Sequence, residues 1–251
     1  MPVPVFAVAG LFGLIVGSFL NVVTHRLPRG GSLVKPRSAC PDCGVAVRPY
    51  DNVPVLSWLL LRGRCRDCGT TISARYPVVE AGTAALWLAV VAVHHADTTQ
   101  LVLGLVLVTF LVPMALIDLE RQIIPNKLTG PAALAGLVLG TALDAAGEPE
   151  RLLAALAFGF VFALPAFIGG GMGMGDAKLV GVLGLFLGWS AGLALMVALV
   201  VGSVVGVAIV ARLGVAAGRK AGVSFGPFLA LGGIVAVLAG EPIIHWYLTL
   251  G

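Results

Sequence analysis

The sequence predicts an all-α polytopic membrane protein, with about eight transmembrane helices and a small cysteine-rich domain between the first two. Two observations support this fold class. Of the 251 residues, 59% are hydrophobic and only 11% are charged, whereas a soluble domain contains about 25% charged residues. The mean hydropathy is +1.02, and the apolar residues are grouped in stretches close to the length of a membrane-spanning helix.

The apolar stretches give the predicted helices in chain order. They lie at 3–23, 78–95, 101–117, 128–143, 152–168, 179–211 and 225–240. A spanning helix needs about 20 residues, so the stretch 179–211 is too long for one crossing and short for two. The sequence "GWSAG" at 188–192 offers a turn within this stretch, and we predict two helices there, the first of them short.

The charges predict the orientation of these helices. If segment 24–77 lies in the cytoplasm, all 16 basic residues except Arg151 fall on the cytoplasmic side of an eight-helix arrangement. Basic residues in short loops favour that side, so we expect both termini outside. Arg26 and Arg29 follow the first apolar stretch and no basic residue precedes it, which is the reverse of a signal peptide. We expect the first helix to be retained, membrane lipid to be a partner, and no nucleic acid to bind.

We predict three parts of the chain. Residues 1–23 form the first helix, residues 24–77 a cytoplasmic metal-binding domain, and residues 78–251 a membrane domain of about seven helices. A segment of about 54 residues is small for an independent core, and small domains are often stabilised by a metal.

The four cysteines all lie in segment 24–77, as "CPDC" with Cys40 and Cys43 and "CRDC" with Cys65 and Cys68. Four thiolates form a closed tetrahedral zinc site. The 21 residues between Cys43 and Cys65 lie just outside the usual spacing for such a site. Two disulfides or a redox-active pair are the alternatives, but thiols stay reduced in the cytoplasm. We therefore favour a structural zinc ion.

Two aspartates are expected at one membrane face. Asp118 ends the third predicted helix and Asp176 follows the fifth, so two crossings separate them. The stretch "GGGMGMGDAK" at 169–178 fits no glycine-rich phosphate motif, and we interpret it as a backbone bend that presents Asp176. Acids at a membrane boundary are functional candidates. The alternative is that both are solvated helix ends, with Asp118 paired to Arg121.

Paired carboxylates have a definite chemistry when they lie close together. The two groups cannot both ionise easily, so they share a proton. One carboxylate can then act as general base on a water while the other, protonated, donates to a scissile carbonyl. This is the chemistry of an aspartic protease.

Several motifs together resemble the type IV prepilin peptidases, a family of GxGD-type membrane aspartyl proteases. They are "GLIVGSFLNVVTHRLP" at 13–28, the paired C-x-x-C segment, "LIDLERQIIPN" at 116–126, "GMGMGDAKL" at 171–179 and "FGPFLALGG" at 225–233. The chain departs from the family pattern at three positions. Asp51, Gly170 and Ser224 stand where relatives commonly have glutamate, a charged residue and proline.

The resemblance implies an activity and a location. Asp118 and Asp176 would cleave the leader of a prepilin or pseudopilin at the cytoplasmic face of the bacterial inner membrane. The new N-terminus would then be methylated with S-adenosylmethionine. Segment 24–77 contains no glycine-rich fingerprint for that cofactor, so the methyltransferase activity rests on the resemblance alone. Glu80 is interpreted as an acid favoured by the N-terminal end of its helix.

Other functions remain open at this point. The enzyme could be a peptidase that does not methylate. The two aspartates could instead be the ion or proton sites of a transporter, because helices broken by glycine also suit that class. Presenilin-type and signal-peptide-peptidase-type proteases lack the paired C-x-x-C segment and fit less well.

Overall fold

A computed structural model of the protein describes residues 3–168, 173–214 and 222–249. In these ranges the chain forms nine α-helices and no β-strand, so the predicted all-α class is confirmed. Eight of the helices are long, in agreement with the predicted number of about eight. The helices are α1 Val3–Arg26, α2 Leu56–Leu60, α3 Arg75–His94, α4 Thr98–Arg121, α5 Asn126–Leu143, α6 Glu148–Phe167, α7 Met174–Leu187, α8 Ala191–Leu213 and α9 Gly226–Thr249.

The described residues contain six segments that are long and apolar enough to cross a membrane. One of them is the 40-residue segment Met174–Leu213, which a short 3-10 turn at Gly188–Ser190 divides into α7 and α8. Gly188 has a φ of 56° there, in a region that residues with a Cβ rarely adopt. The turn predicted from "GWSAG" is therefore confirmed, and α7 is the short helix.

The helices form two compact units, Met1–Ala92 and Val93–Gly251, here called unit 1 and unit 2. Unit 1 contains α1, the cysteine segment, α2 and most of α3. Unit 2 contains both candidate aspartates. The functional division into 1–23, 24–77 and 78–251 stays a prediction.

In unit 1, α1 and α3 pack closely in antiparallel orientation. A Cβ at Gly13 would lie 2.7 Å from Ala84 Cα, and a Cβ at Gly17 would lie 2.7 Å from Glu80 Cα. Glycines four residues apart on one helix face allow two membrane helices to approach in this way. The glycine spacing in the first apolar stretch thus marks a helix-packing face.

The interpretation of Glu80 as an acid at the helix end is corrected by its contacts. Glu80 lies in the second turn of α3, is only 7% exposed, and its Oε2 accepts a hydrogen bond of 2.7 Å from the Val55 N–H. A buried carboxylate needs such a partner. Glu80 therefore fixes the start of α2 against α3.

In unit 2, α7 lies at the centre, and half of its 14 residues are buried. A Cβ at Gly184 would lie 2.5 Å from Ala155 Cα on α6, and one at Gly233 on α9 would lie 2.7 Å from Leu183 Cδ2. The small residues allow the backbones of α6 and α7 to approach closely. These contacts with α6 and α9 fix the position of α7, and with it the position of its first turn.

At one end of unit 2, Arg151 joins α5 to α6. Its guanidinium forms ion pairs with Asp144 at 2.8 Å and Glu148 at 3.1 Å, and also donates to the Gly140 carbonyl. The interaction with Arg151 lowers the pKa of Asp144 below its ordinary value. This buried network satisfies the carbonyl groups at the end of α5 and fixes the α5–α6 hairpin.

The α6–α7 contact predicts a difference between two glycines. We expect Gly184→Ala to lower the free energy of unfolding by about 1–3 kcal/mol, because the added methyl group overpacks the contact with Ala155. Gly206→Ala on α8 is the matched control, since no atom lies within 4 Å of a Cβ at that position. Thermal unfolding in detergent measures both variants. Equal midpoints for the two would contradict the close packing.

Candidate active site and metal centre

Asp118 lies in the last turn of α4 and is only 4% exposed. Its Oδ2 accepts a hydrogen bond of 3.0 Å from the N–H of Gly226, the first residue of α9. A Cβ at position 226 would lie 2.5 Å from this oxygen and 3.1 Å from Ile124 Cδ1. Glycine is thus the residue that lets the backbone donor reach the carboxylate.

Asp176 lies in the first turn of α7 and is half-buried. Gly173, just before α7, has an extended backbone, with φ −74° and ψ 139°. A Cβ at Gly173 would lie 3.3 Å from Asp176 Oδ2, so glycine keeps this side of the carboxylate open. Residues 169–172 of the glycine run, with Gly170, lie outside the described residues.

The structure brings the two predicted aspartates together at the same end of unit 2. Their carboxylates lie close enough for the charges to interact. Ile124 lies beside Gly175, the neighbour of Asp176 in α7, and beside Gly226, the residue that donates to Asp118. Among the described contacts of Asp118, none joins it to Arg121. Lys178 donates to Asn126 Oδ1 at 2.9 Å. The alternative of two solvated helix ends does not fit a buried Asp118.

The four cysteines also converge. The four Sγ atoms lie within 4.8 Å of one another, and Cys40 Sγ lies 3.8 Å from Cys68 Sγ. A disulfide would need about 2.05 Å, and all four thiols are free. Four sulfurs at about 2.3 Å from a central ion lie about 3.8 Å apart in a tetrahedron. The cluster could therefore hold a metal ion.

Two similar turns position these cysteines. In the first turn Gly44 N–H donates to Cys40 O, and in the second Gly69 N–H donates to Cys65 O. The two glycines have φ values of 72° and 73°, which glycine adopts readily. Each C-x-x-C pair thus folds back on itself, so that both of its thiols face the same point.

Polar contacts join the two turns to each other. Arg48, after the first turn, forms an ion pair of 2.8 Å with Asp67 in the second. Thr70, after the second turn, donates to Asp42 in the first. The backbone N–H groups of Cys43 and Asp42 lower the pKa of Cys40 to about 7, which favours the thiolate that binds metals.

One cavity in the described part of unit 1 can be compared with the needs of a nucleoside cofactor. This cavity of about 380 Å³ is lined by Arg26, Arg37, Ser38, Asn52 and apolar residues. None of the lining residues is acidic or aromatic, so the cavity has no carboxylate for ribose hydroxyls and no ring for an adenine to stack on. Its residues do not fit S-adenosylmethionine well, and we assign none of them to that cofactor.

Paired aspartates at one end of a helical membrane unit define a candidate intramembrane aspartic peptidase, and the comparisons with known proteins agree. Residues 105–211 match the type IV leader peptidase family, and residues 11–94 match the bacterial peptidase A24 N-terminal domain. The chain belongs to the type IV leader peptidase family and is a multi-pass membrane protein.

Three curated relatives share the printed name "Prepilin leader peptidase/N-methyltransferase". The Myxococcus xanthus protein is 44% identical over 86% of this chain and 67% of its own length. The Aeromonas hydrophila protein is 36% identical over 97% of this chain and 94% of its own. The Pseudomonas aeruginosa protein is 37% identical over 95% and 91%. No solved structure matches the chain.

The sequence alone did not indicate the contacts that support Asp118. The stretch "FGPFLALGG" stands out only through the resemblance, which gives Gly226 and Ser224 no contact with Asp118. The signal was present but ambiguous, because glycine followed by Pro227 is typical of a helix start. Nothing in the sequence shows that this helix start lies against a residue 108 positions earlier.

Proposed function

We propose that the protein is a membrane-embedded aspartic endopeptidase that cleaves the leader peptide of type IV prepilins or pseudopilins. The observation that supports this function most directly is the pairing of Asp118 with Asp176 at one end of unit 2. The printed names of the relatives support the same substrate class and add N-methylation of the product.

The proposed chemistry uses Asp118 and Asp176 as a pair that shares one proton. One carboxylate removes a proton from water, and the other donates its proton to the carbonyl oxygen of the scissile bond. Gly173 and Gly175 have no side chain, so the substrate backbone can approach Asp176. The described geometry favours neither aspartate as the base.

We place the site at the cytoplasmic face of the bacterial inner membrane. The end of unit 2 that contains the aspartates also contains Arg121, Lys127 and Lys178. The opposite end contains Arg151 among five acids, which are Asp97, Asp144, Glu148, Glu150 and Glu241. The positive-inside rule assigns the basic end to the cytoplasm. Arg219 and Lys220, which support this orientation in the sequence, lie outside the described residues.

We propose that methylation of the new N-terminus follows cleavage, with S-adenosylmethionine as donor. The support is the printed name of the relatives. An enzyme that only cleaves is the alternative within the same family. A transporter is less favoured, because transport sites lie near the middle of the bilayer, whereas Asp118 and Asp176 lie at helix ends.

We further propose that Cys40, Cys43, Cys65 and Cys68 hold a structural zinc ion. Four thiolates fill a tetrahedral coordination sphere and leave no open position for a substrate. The ion would join the two C-x-x-C turns, which otherwise depend on a few exposed polar contacts. Exposed contacts of this kind contribute little to stability.

The catalytic proposal predicts the behaviour of two isosteric variants. We expect Asp118→Asn and Asp176→Asn each to reduce cleavage of a purified type IV prepilin by at least about a thousandfold, because an amide cannot exchange the proton. Cleavage by purified protein in detergent or nanodiscs is followed by the size of the product. Asp97→Asn is the control, since asparagine caps α4 as well as aspartate does.

Full cleavage by either aspartate variant would refute the two-aspartate mechanism. If the folded wild-type protein cleaved none of a panel of prepilins and pseudopilins, the peptidase function itself would be refuted. A proton-flux assay in liposomes would then test the transporter alternative.

The zinc proposal predicts the metal content. We expect one zinc ion per chain in the wild-type protein, and substantial loss of zinc in Cys43→Ser and Cys65→Ser. Elemental analysis of the purified proteins measures this, with Arg37→Ala as a control that leaves the sulfurs intact. Zinc should also be released as the pH falls, because protons compete for the thiolates. A wild-type zinc content retained in both serine variants would contradict the site.

A further inference from the structure

The end of α4 has an unusual backbone at Gln122. This residue follows the last turn of the helix and has φ 54° and ψ 39°, a left-handed conformation that glycine or asparagine usually occupies. The Gln122 side chain makes a hydrogen bond that offsets part of the cost of this backbone conformation. Its Nε2 donates to the carbonyl of Gly222, 100 residues later in the chain, at 2.7 Å. The chain thus keeps a strained glutamine where a glycine would end the helix more easily.

Two further hydrogen bonds join the same two segments. Ser224 Oγ donates to the Asp118 carbonyl at 2.8 Å, and the Gly226 N–H donates to Asp118 Oδ2 at 3.0 Å. The three contacts thus come from five consecutive residues that lie just before and at the start of α9. We call residues 222–226 the strap.

The strap donates hydrogen bonds to both the backbone carbonyl and the side-chain carboxylate of Asp118. The Asp118 carbonyl accepts from the Gln122 N–H at 2.8 Å as well as from Ser224, although carbonyls at helix ends often lack partners. Gly226 begins α9, where free N–H groups favour a negative charge. Pro227 has no N–H, so Gly226 is the donor that the start of α9 turns toward the carboxylate.

We propose that Ser224 and Gln122 are positioning residues that hold the Gly226 N–H on Oδ2 of Asp118 and leave Oδ1 available to water. This role rests on the proposed peptidase function. Ser224 does not touch the substrate in this scheme. It acts through Asp118, by fixing where the strap crosses the end of α4.

The charges around Asp118 make the role measurable through pH. Asp176 on α7 is the titratable group that interacts with it, while Lys178 on α7 is engaged with Asn126 on α5. A hydrogen bond to a carboxylate favours its ionised form. If the strap loosens, Asp118 is protonated more easily, and the acidic limb of the pH–rate profile moves to higher pH.

The test compares Ser224→Ala with Ser224→Thr, which keeps the hydroxyl, and with Gln122→Ala. We expect Ser224→Ala and Gln122→Ala each to lower kcat for a purified prepilin by about tenfold, the effect of one lost hydrogen bond, with KM unchanged. The acidic limb should move to higher pH, and Ser224→Thr should restore both properties. Thr141→Ala on α5 is the matched control, because it removes a hydroxyl whose bond among the described residues is to the carbonyl of Leu137 in its own helix.

A second measurement does not depend on cleavage. Amide hydrogen exchange, followed by mass spectrometry, should become faster in peptides that cover residues 222–229 of Ser224→Ala, and remain unchanged in those of Thr141→Ala. This readout reports the strap itself in a protein that is otherwise folded.

Two outcomes would overturn the proposal, and they are distinguishable. If the wild-type protein cleaves prepilin and folded Ser224→Ala keeps the wild-type kcat, pH profile and exchange rates, the strap has no positioning role. If the wild-type protein does not cleave, the peptidase function fails, whatever the exchange rates show.

Discussion

A carboxylate buried at the end of a membrane helix needs a hydrogen-bond donor, and Asp118 obtains one from the first residue of α9. The Gly226 N–H reaches Oδ2 at 3.0 Å only because position 226 has no side chain. This contact fixes the end of α4 against the start of α9. The remaining features of the site follow from it, because Ile124, packed beside Gly226, also lies against Gly175 in the first turn of α7.

The two ends of unit 2 use charge in opposite ways. At one end, the buried Arg151 forms ion pairs with Asp144 and Glu148 and donates to the Gly140 carbonyl at the end of α5. At the other end, the carboxylates of Asp118 and Asp176 lie near enough to interact electrostatically, with the Gly226 N–H and several glycines beside them. In the first arrangement each carboxylate has a cationic partner, which offsets part of the cost of burying its charge. In the proposed mechanism the second keeps a negative charge and a proton in close proximity, which is the condition for acid–base chemistry.

The sequence was sufficient where a local pattern determines structure. Apolar stretches predicted the long helices, and "GWSAG" predicted the turn between α7 and α8. Counting crossings placed Asp118 and Asp176 at one end, and the repeated C-x-x-C pairs placed the sulfurs together. Contacts between Glu80 and Val55, or Ser224 and Asp118, join distant polar residues. They leave no periodic signal, so the sequence could not reveal them.

The length of α7 has a consequence for the surrounding bilayer. Its 14 residues extend about 21 Å, whereas the hydrocarbon core is about 30 Å thick. The helix is enclosed by neighbours that are longer, so lipid cannot simply thin around it to remove this hydrophobic mismatch. Roughly 9 Å of that thickness is left to residues beyond its ends, such as the 3-10 turn Gly188–Ser190. Non-helical backbone is tolerated at such depth only beside protein or water. If water is that partner on the side of Asp176, hydrolysis can take place below the level of the headgroups.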